Sequence, residues 1–415
     1  MHRRFTQHIL QLAGSLQHQP AACLLDPQLR DLARQGLLTG HRHYQTGLQE
    51  VEPWPYAASV IEEAATPPSS WYTSPAVLEA ELSTVFQKSW LLMGESNKLQ
   101  QPGDFISSLV TGRPFVACVD QHGQLQAYHN VCRHHAAAVC DEPHGNATQF
   151  ACPYHGWTYG LDGRLQKATK LKGIKNFKAS EMGLLPVPID TWQGFAFMQP
   201  GKQRQALHGT TSLTEWLGKG GDAMKAADIS LANMKHVKTQ TYQINCNWKV
   251  FCDNYLDGGY HVPHAHKGLA SGLHLDSYTS SLYERASIQS CAPQQASAEA
   301  DQRLGKQSAE YAFVYPNLML NRYGPWLDIN IVEPTGPQTC QVRFEYFLHW
   351  DHKAEEEFVQ ESLQASDAVQ QEDVRLCEAV QRGLRSPAYD TGRYAPSVER
   401  PMFHFHQLLH KDLLL

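Results

Sequence analysis

The stretch "NVCRHHAAAVCDEPHGNATQFACPYHGW", residues 130–157, gathers three cysteines and four histidines. Two sub-patterns organise it, Cys132-x-His134 and Cys152-x-x-His155, with seventeen residues between His134 and Cys152. Each half supplies one thiolate and one imidazole. Core histidines do not pair with cysteines twice at such close spacing, so the set reads as a metal centre. Zinc suits two cysteines with two histidines, but zinc fingers keep the cysteines together and the histidines together. Two loops that each give one of both kinds fit a [2Fe–2S] cluster, with cysteines on one iron and histidines on the other. Cys140 lies inside the stretch without a histidine at matching spacing and is set aside as a ligand.

The pattern C-x-H-x17-C-x-x-H, followed by Gly156 and Trp157, resembles the Rieske motif of ring-hydroxylating-type oxygenases. The resemblance implies that Cys132, His134, Cys152 and His155 hold the cluster. Imidazoles in place of two thiolates raise its reduction potential.

The rest of the chain narrows the possibilities. A length of 415 residues favours two domains over one core. The net charge of −6, without a lysine or arginine stripe, gives no reason to expect nucleic acid. No apolar run is long enough to span a membrane. Ten cysteines are too dilute for a disulfide scaffold, which points to a reducing compartment. The first 25 residues carry Arg3 and Arg4, no acid, and apolar residues at helical spacing. They read either as an organelle transit peptide or as a loosely docked arm.

Composition and turn signals divide the chain into four parts. Residues 1–65 read as leader and linker, and residues 66–103, opening with "TPPSSWYTSP", as a helical lead-in. Residues 104–205 alternate short β-rich runs with turns, as a small antiparallel domain does. Residues 206–415 combine strand-like runs with a long amphipathic helix over 353–384, an α+β arrangement.

A second dense stretch, "NWKVFCDNYLDGGYHVPHAHKG" (247–268), places His261 and His266 five apart. On an unbroken helix they would diverge by about 140°. Pro263 lies between them, so the helix should end near His261 and let the second imidazole fold back. The stretch resembles the mononuclear iron site of Rieske oxygenases, N-x6-H-x4-H, with Asn254, His261 and His266 in register and His264 as a competing ligand. The resemblance implies a carboxylate third ligand on the C-terminal helix, where "QQEDVRLCEAVQRGL" (370–384) offers Asp373. Two histidines and one carboxylate make the facial triad of non-haem Fe(II) oxygenases. The family usually bridges its two centres with an acid three residues before the first histidine. Here that position is Gly258, so either Asp257 takes the bridging, catalytic role, with Asp253 a weaker candidate, or electron transfer uses another path.

"TPPSSWYTSP", "NWKVFCDNYLDGGYHVPHAHKGLASGL", "NRYGPWLDIN" and "EDVRLCEAVQRGL" resemble the plant-type choline monooxygenase branch of that family over roughly residues 60–410. The resemblance implies an all-β Rieske [2Fe–2S] domain followed by a catalytic domain of antiparallel-sheet, helix-grip (START/Bet v1-like) form. It also implies choline hydroxylation to betaine aldehyde hydrate with O2 and reduced ferredoxin, a homotrimer, and a chloroplast stromal site, otherwise the cytoplasm. Aromatic faces recognise a trimethylammonium group, and Tyr260, Tyr315, Tyr323 and Trp326 are the candidates, with Asp328 as a charge. Alternatives are an N-demethylase of carnitine or betaine, an electron-transfer protein with the cluster alone, and a zinc-binding structural protein.

Overall fold

The computed structural model describes residues 51–54, 57, 60–201, 211–293, 308–352 and 355–414. Of the expected leader and linker, residues 1–65, residues 1–50 lie outside the described residues.

The cluster stretch sits in small antiparallel sheets. Arg113–Val119 pairs with Asp104–Val110 and Leu125–His129, and Gln149–Ala151 pairs with Thr158–Gly160 and then Leu165–Lys167. The β-rich runs expected between 104 and 205 are there. However, Leu91–Glu95 also pairs with Phe195–Met198, so this β region starts before residue 104.

The C-terminal half is a seven-stranded antiparallel sheet whose edge strands are Met234–Ile244 and Thr279–Leu282. These two edges are consecutive strands in the chain. With six inter-strand spacings of about 4.8 Å each, the segment between them must cross some 29 Å of sheet. That crossing segment contains the second histidine stretch. The long helix Glu356–Leu384 follows the strand Thr339–His349 and buries Ser362, Ser366, Asp373, Cys377, Gln381 and Leu384 along one stripe. The stripe follows helical spacing and is made of small and polar side chains up to Leu384 at its end, with one carboxylate, Asp373, on it. A further helix, Arg400–Leu414, packs against Pro75–Lys88.

The "lead-in" helix Pro75–Lys88 belongs to the catalytic body. Its Glu81 forms a 2.6 Å ion pair with Lys249, both fully buried, and the Trp248 indole N–H donates to Glu81 at 2.7 Å. Burial raises the Glu81 pKa, and the Lys249 charge opposes that shift.

The expected linker boundary at residue 65 is corrected in the same way. Trp54 is 4 % exposed, touches Trp71, Phe403 and His410, and donates its indole N–H to the Ala65 carbonyl. Ala65 bridges to Arg393. A run that looks like linker is therefore held by the C-terminal helix, distant in sequence. Trp54→Ala should cost about 3–5 kcal/mol, the usual range for emptying a buried tryptophan site. Denaturant midpoints will check this. A truncation beginning near Glu62, which also removes Trp54, should lose at least as much.

Candidate metal centres

The two cluster loops are built alike. In the first, the Cys132 N–H donates to the Ala137 carbonyl and the Ala136 N–H returns to the Cys132 carbonyl; in the second, Cys152 pairs so with Trp157 and Gly156. The fifth residue of each loop, Ala136 (φ 62°) and Gly156 (φ 71°), takes the left-handed conformation that closes such a turn. Both cysteines are buried, and the His134 and His155 rings converge with centroids 4.6 Å apart. His134 stacks on Trp157 at 4.7 Å and 7°, and its Nδ1 is buried with no partner. A buried nitrogen without a hydrogen bond is costly, and a metal bond satisfies it. Burial opposes ionisation of the Cys132 thiol. The Tyr159 hydroxyl and the N–H groups of His134 and His135 outweigh it and hold that pKa below the ordinary thiol value. Burial raises the Cys152 thiol, against N–H donors from Tyr154 and His155. Two sulfurs ringed by N–H donors and two facing imidazoles fit a [2Fe–2S] cluster. His155 and Tyr154 are exposed, which puts the imidazole edge at the surface.

The second centre starts from a different break than the sequence led us to expect. The helix Trp248–Tyr255 ends before Asp257, well ahead of His261. Pro263 lies in the first turn of a new short helix, Val262–Ala265, where a missing N–H costs nothing. His261 and His266 cap its two ends, and this brings their Nε2 atoms to 3.1 Å. Asp373 Oδ1 lies 3.0 Å from His266 Nε2 and 3.6 Å from His261 Nε2. The three ligand atoms lie within 4.8 Å of one another. The Asn254 amide donates to Asp373 at 2.9 Å, in keeping with its place in the register.

Each imidazole is oriented from behind. His261 Nδ1 lies 2.7 Å from Asp257, and His266 Nδ1 lies 2.7 Å from Glu372. A carboxylate accepts a hydrogen bond from Nδ1–H and so holds the proton on that nitrogen, and each Nε2 presents a lone pair toward the other two ligand atoms. Two such lone pairs beside a carboxylate oxygen repel one another unless a cation lies between them, and a divalent ion fits that donor set. Burial disfavours charge on His266, yet the Asp373 and Glu372 carboxylates prevail and raise its pKa. Asp257 also accepts from the N–H groups of Gly259, Tyr260 and His261. Gly258 has φ 74°, and a Cβ there would stand 2.3 Å from the Val398 carbonyl, so no acid can replace it without moving the loop. Asp253 is held instead by His406 and Tyr72. Glu372, which holds His266 Nδ1, was passed over as an orienting group by sequence reasoning; its signal was the second acid beside Asp373.

A cavity of about 140 Å3 adjoins the triad and is lined by Phe251, Tyr255, Tyr278 and Tyr311 among others. The aromatic candidates from sequence are elsewhere. Tyr260 is 54 % exposed on the outer side of its loop. Tyr323 and Trp326 pair at a hairpin end, and Trp326 stacks on Phe358, fifteen residues (about 22 Å of helix) before Asp373. The Tyr323 hydroxyl donates to Asp328, which is therefore engaged by the hairpin. Tyr315 is buried beside Arg285.

Two histidines and an acid poised beside a cavity, with a cluster domain on the same chain, define the class: an iron-dependent, Rieske-type oxygenase. Residues 89–178 match the Rieske [2Fe-2S] domain, and residues 231–413 match the catalytic domain of ring hydroxylating alpha subunits. The chain belongs to this alpha-subunit family and is an oxidoreductase of monooxygenase type with a [2Fe–2S] cluster and a mononuclear iron. It is 48 % identical to the chloroplastic choline monooxygenase of Arabidopsis thaliana, over 86 % of this chain and 84 % of the relative. The carnitine monooxygenase oxygenase subunit of Escherichia coli (strain K12) is 28 % identical, over 84 % of this chain and 94 % of the relative. A solved quaternary ammonium Rieske monooxygenase, described for carnitine oxidation and inter-subunit electron transfer, shares the fold. Its TM-score is 0.74 at 23 % identity, over 88 % of this chain and 98 % of that one.

Proposed function

We propose that the protein hydroxylates choline at its alcohol carbon, giving betaine aldehyde hydrate. His261, His266 and Asp373 would hold the iron, and Cys132, His134, Cys152 and His155 the cluster. The carrying observation is the cavity wall: four aromatic side chains, the acids Asp257 and Asp373, and no lysine or arginine among the described lining residues. A quaternary ammonium gains about 0.5–2 kcal/mol per aromatic face. A zwitterion such as carnitine finds no countercharge for its carboxylate there. When bound, the iron supplies O2 activation. The chain's own part is to hold the cation on the rings, fix the Nδ1–H tautomer of both imidazoles through Asp257 and Glu372, and exclude bulk water.

Ferredoxin is the proposed electron donor and the chloroplast stroma the proposed site, following the chloroplastic relatives. No helix among the described residues is long and apolar enough to cross a membrane. Turnover with reduced ferredoxin and a panel of quaternary amines tests the reading. Betaine aldehyde from choline supports it; formaldehyde released from carnitine, with choline inert, would favour the N-demethylase.

The proposed assembly is a head-to-tail homotrimer, a heterologous contact closed as a ring, with Asp257 at the subunit contact. Support comes from the exposed imidazole edge at His155 and from a groove reaching Asp257 and His261 that carries the exposed apolar side chains Leu376, Val380 and Tyr389. Mixing Cys132→Ser with His261→Ala chains under subunit exchange should return part of the activity that each lacks alone. No recovery after proven exchange would place electron transfer within one chain.

Glu372→Gln should weaken iron retention by roughly 10–100-fold, the usual effect of losing a partner behind a histidine ligand. Iron content after dialysis against graded chelator measures it, and the cluster's absorption serves as the internal control.

A further inference from the structure

The buried polar atoms without a partner on the cavity wall are all carbonyl oxygens: Gln289 Oε1, Asn330 Oδ1 and Gln370 Oε1. Gln289 is fully buried, and its amide nitrogen donates to the Tyr255 carbonyl at 2.9 Å, which fixes its oxygen as the free end. Asn330 is 4 % exposed on the interior strand Trp326–Gly336, and Gln370 lies one turn before Asp373 on the ligand helix. The neighbouring amide oxygen of Asn321 is already taken by the Tyr255 hydroxyl at 2.7 Å. A buried acceptor without a donor is costly. A ligand that brings a donor relieves that cost; one that brings an anion worsens it.

We infer that the substrate's alcohol donates its one proton to one of these amide oxygens, on Gln289, Asn330 or Gln370, which makes that residue specificity-determining and selects a hydroxylated quaternary ammonium over its alkyl or carboxylate counterpart. The inference rests on the proposed choline reading and adds what recognises the end opposite the trimethylammonium group. The aromatic rings treat every trimethylammonium alike, so they cannot tell choline from ethyltrimethylammonium or glycine betaine. The accepting amide oxygen can: the first analogue leaves it unpaired, and the second sets carboxylate lone pairs against it. Sites built to bond a substrate hydroxyl reject analogues lacking it far more strongly than apolar pockets reject an altered alkyl group.

The test is equilibrium binding of choline, ethyltrimethylammonium and glycine betaine to the anaerobic holoenzyme, with no turnover required. The wild type should prefer choline to ethyltrimethylammonium by roughly tenfold or more, with glycine betaine weakest. The preference should shrink toward one in one of the variants Gln289→Leu, Asn330→Leu and Gln370→Leu. A wild-type ratio near one overturns the inference whether or not the variants fold, as does a ratio kept in all three folded variants. Tight, selective choline binding without betaine aldehyde formation would keep the inference and sink the proposed reaction. Choline turnover with a binding ratio near one would do the reverse.

Discussion

His261→Ala protein should keep the visible spectrum of its cluster and form no hydroxylated product. The two ligand sets share no residue and no loop: the cluster turns lie within residues 130–157, and His261 caps a short helix laid across the catalytic sheet. Removing the imidazole deletes one of three ligand atoms that lie within 4.8 Å of one another. It also leaves Asp257 without its Nδ1 partner. Neither His264 nor Glu372 offers a replacement. The first is an exposed residue inside the short helix, and the second is bound to His266. We expect loss of the separate iron and of turnover to background, while the cluster still accepts an electron. Metal analysis beside the visible spectrum checks both halves; normal hydroxylation by this variant would move the iron site elsewhere.

Cys132→Ser should remove the cluster's absorption and, with it, ferredoxin-supported turnover. A hydroxyl is a poor substitute for a thiolate toward iron, and the buried position gives no room for another ligand to move in. The effect extends past one bond. Cys132 Sγ lies 3.3 Å from the Tyr159 hydroxyl, which also accepts from the Arg133 N–H, so the sulfur anchors the turn that positions His134. The catalytic iron should remain, because its three ligands lie on the sheet-crossing segment and the long helix. An unchanged spectrum in this variant would refute the cluster assignment.

The parts of both centres that were legible in the sequence are those whose ligands are close along the chain. Cys132-x-His134 and Cys152-x-x-His155 each fit inside one turn, so their spacing alone carries the chemistry. His261 and His266 were legible as a pair, but the reason they meet was not. Pro263 was read as ending a helix, whereas it starts one, since a proline is equally at home in a first turn. Asp373 came from resemblance. Its independent signature, an acid on the buried stripe of an amphipathic helix, needs the sheet to show which stripe is buried. The cavity was the least legible part. Gln289, Tyr311 and Asn330 are brought to one cavity by strand register across the sheet, and Tyr278 joins them from the turn before the edge strand Thr279–Leu282. Nothing local distinguishes them from Tyr323 or Trp326, whose hairpin carries them to the other end of the helix. Trp54 shows the same limit at the N-terminus, where a linker-like run is held by a helix more than 300 residues away.

The most direct measurement is a single turnover. Choline, O2, two electrons and two protons balance to betaine aldehyde hydrate and water, and a fully reduced chain stores two electrons, one at each centre. Reduced protein freed of donor, mixed with choline and then pulsed with O2, should yield up to one trapped betaine aldehyde per chain and no formaldehyde. Formaldehyde with dimethylaminoethanol, or oxidation of both centres with choline recovered intact, would contradict the account.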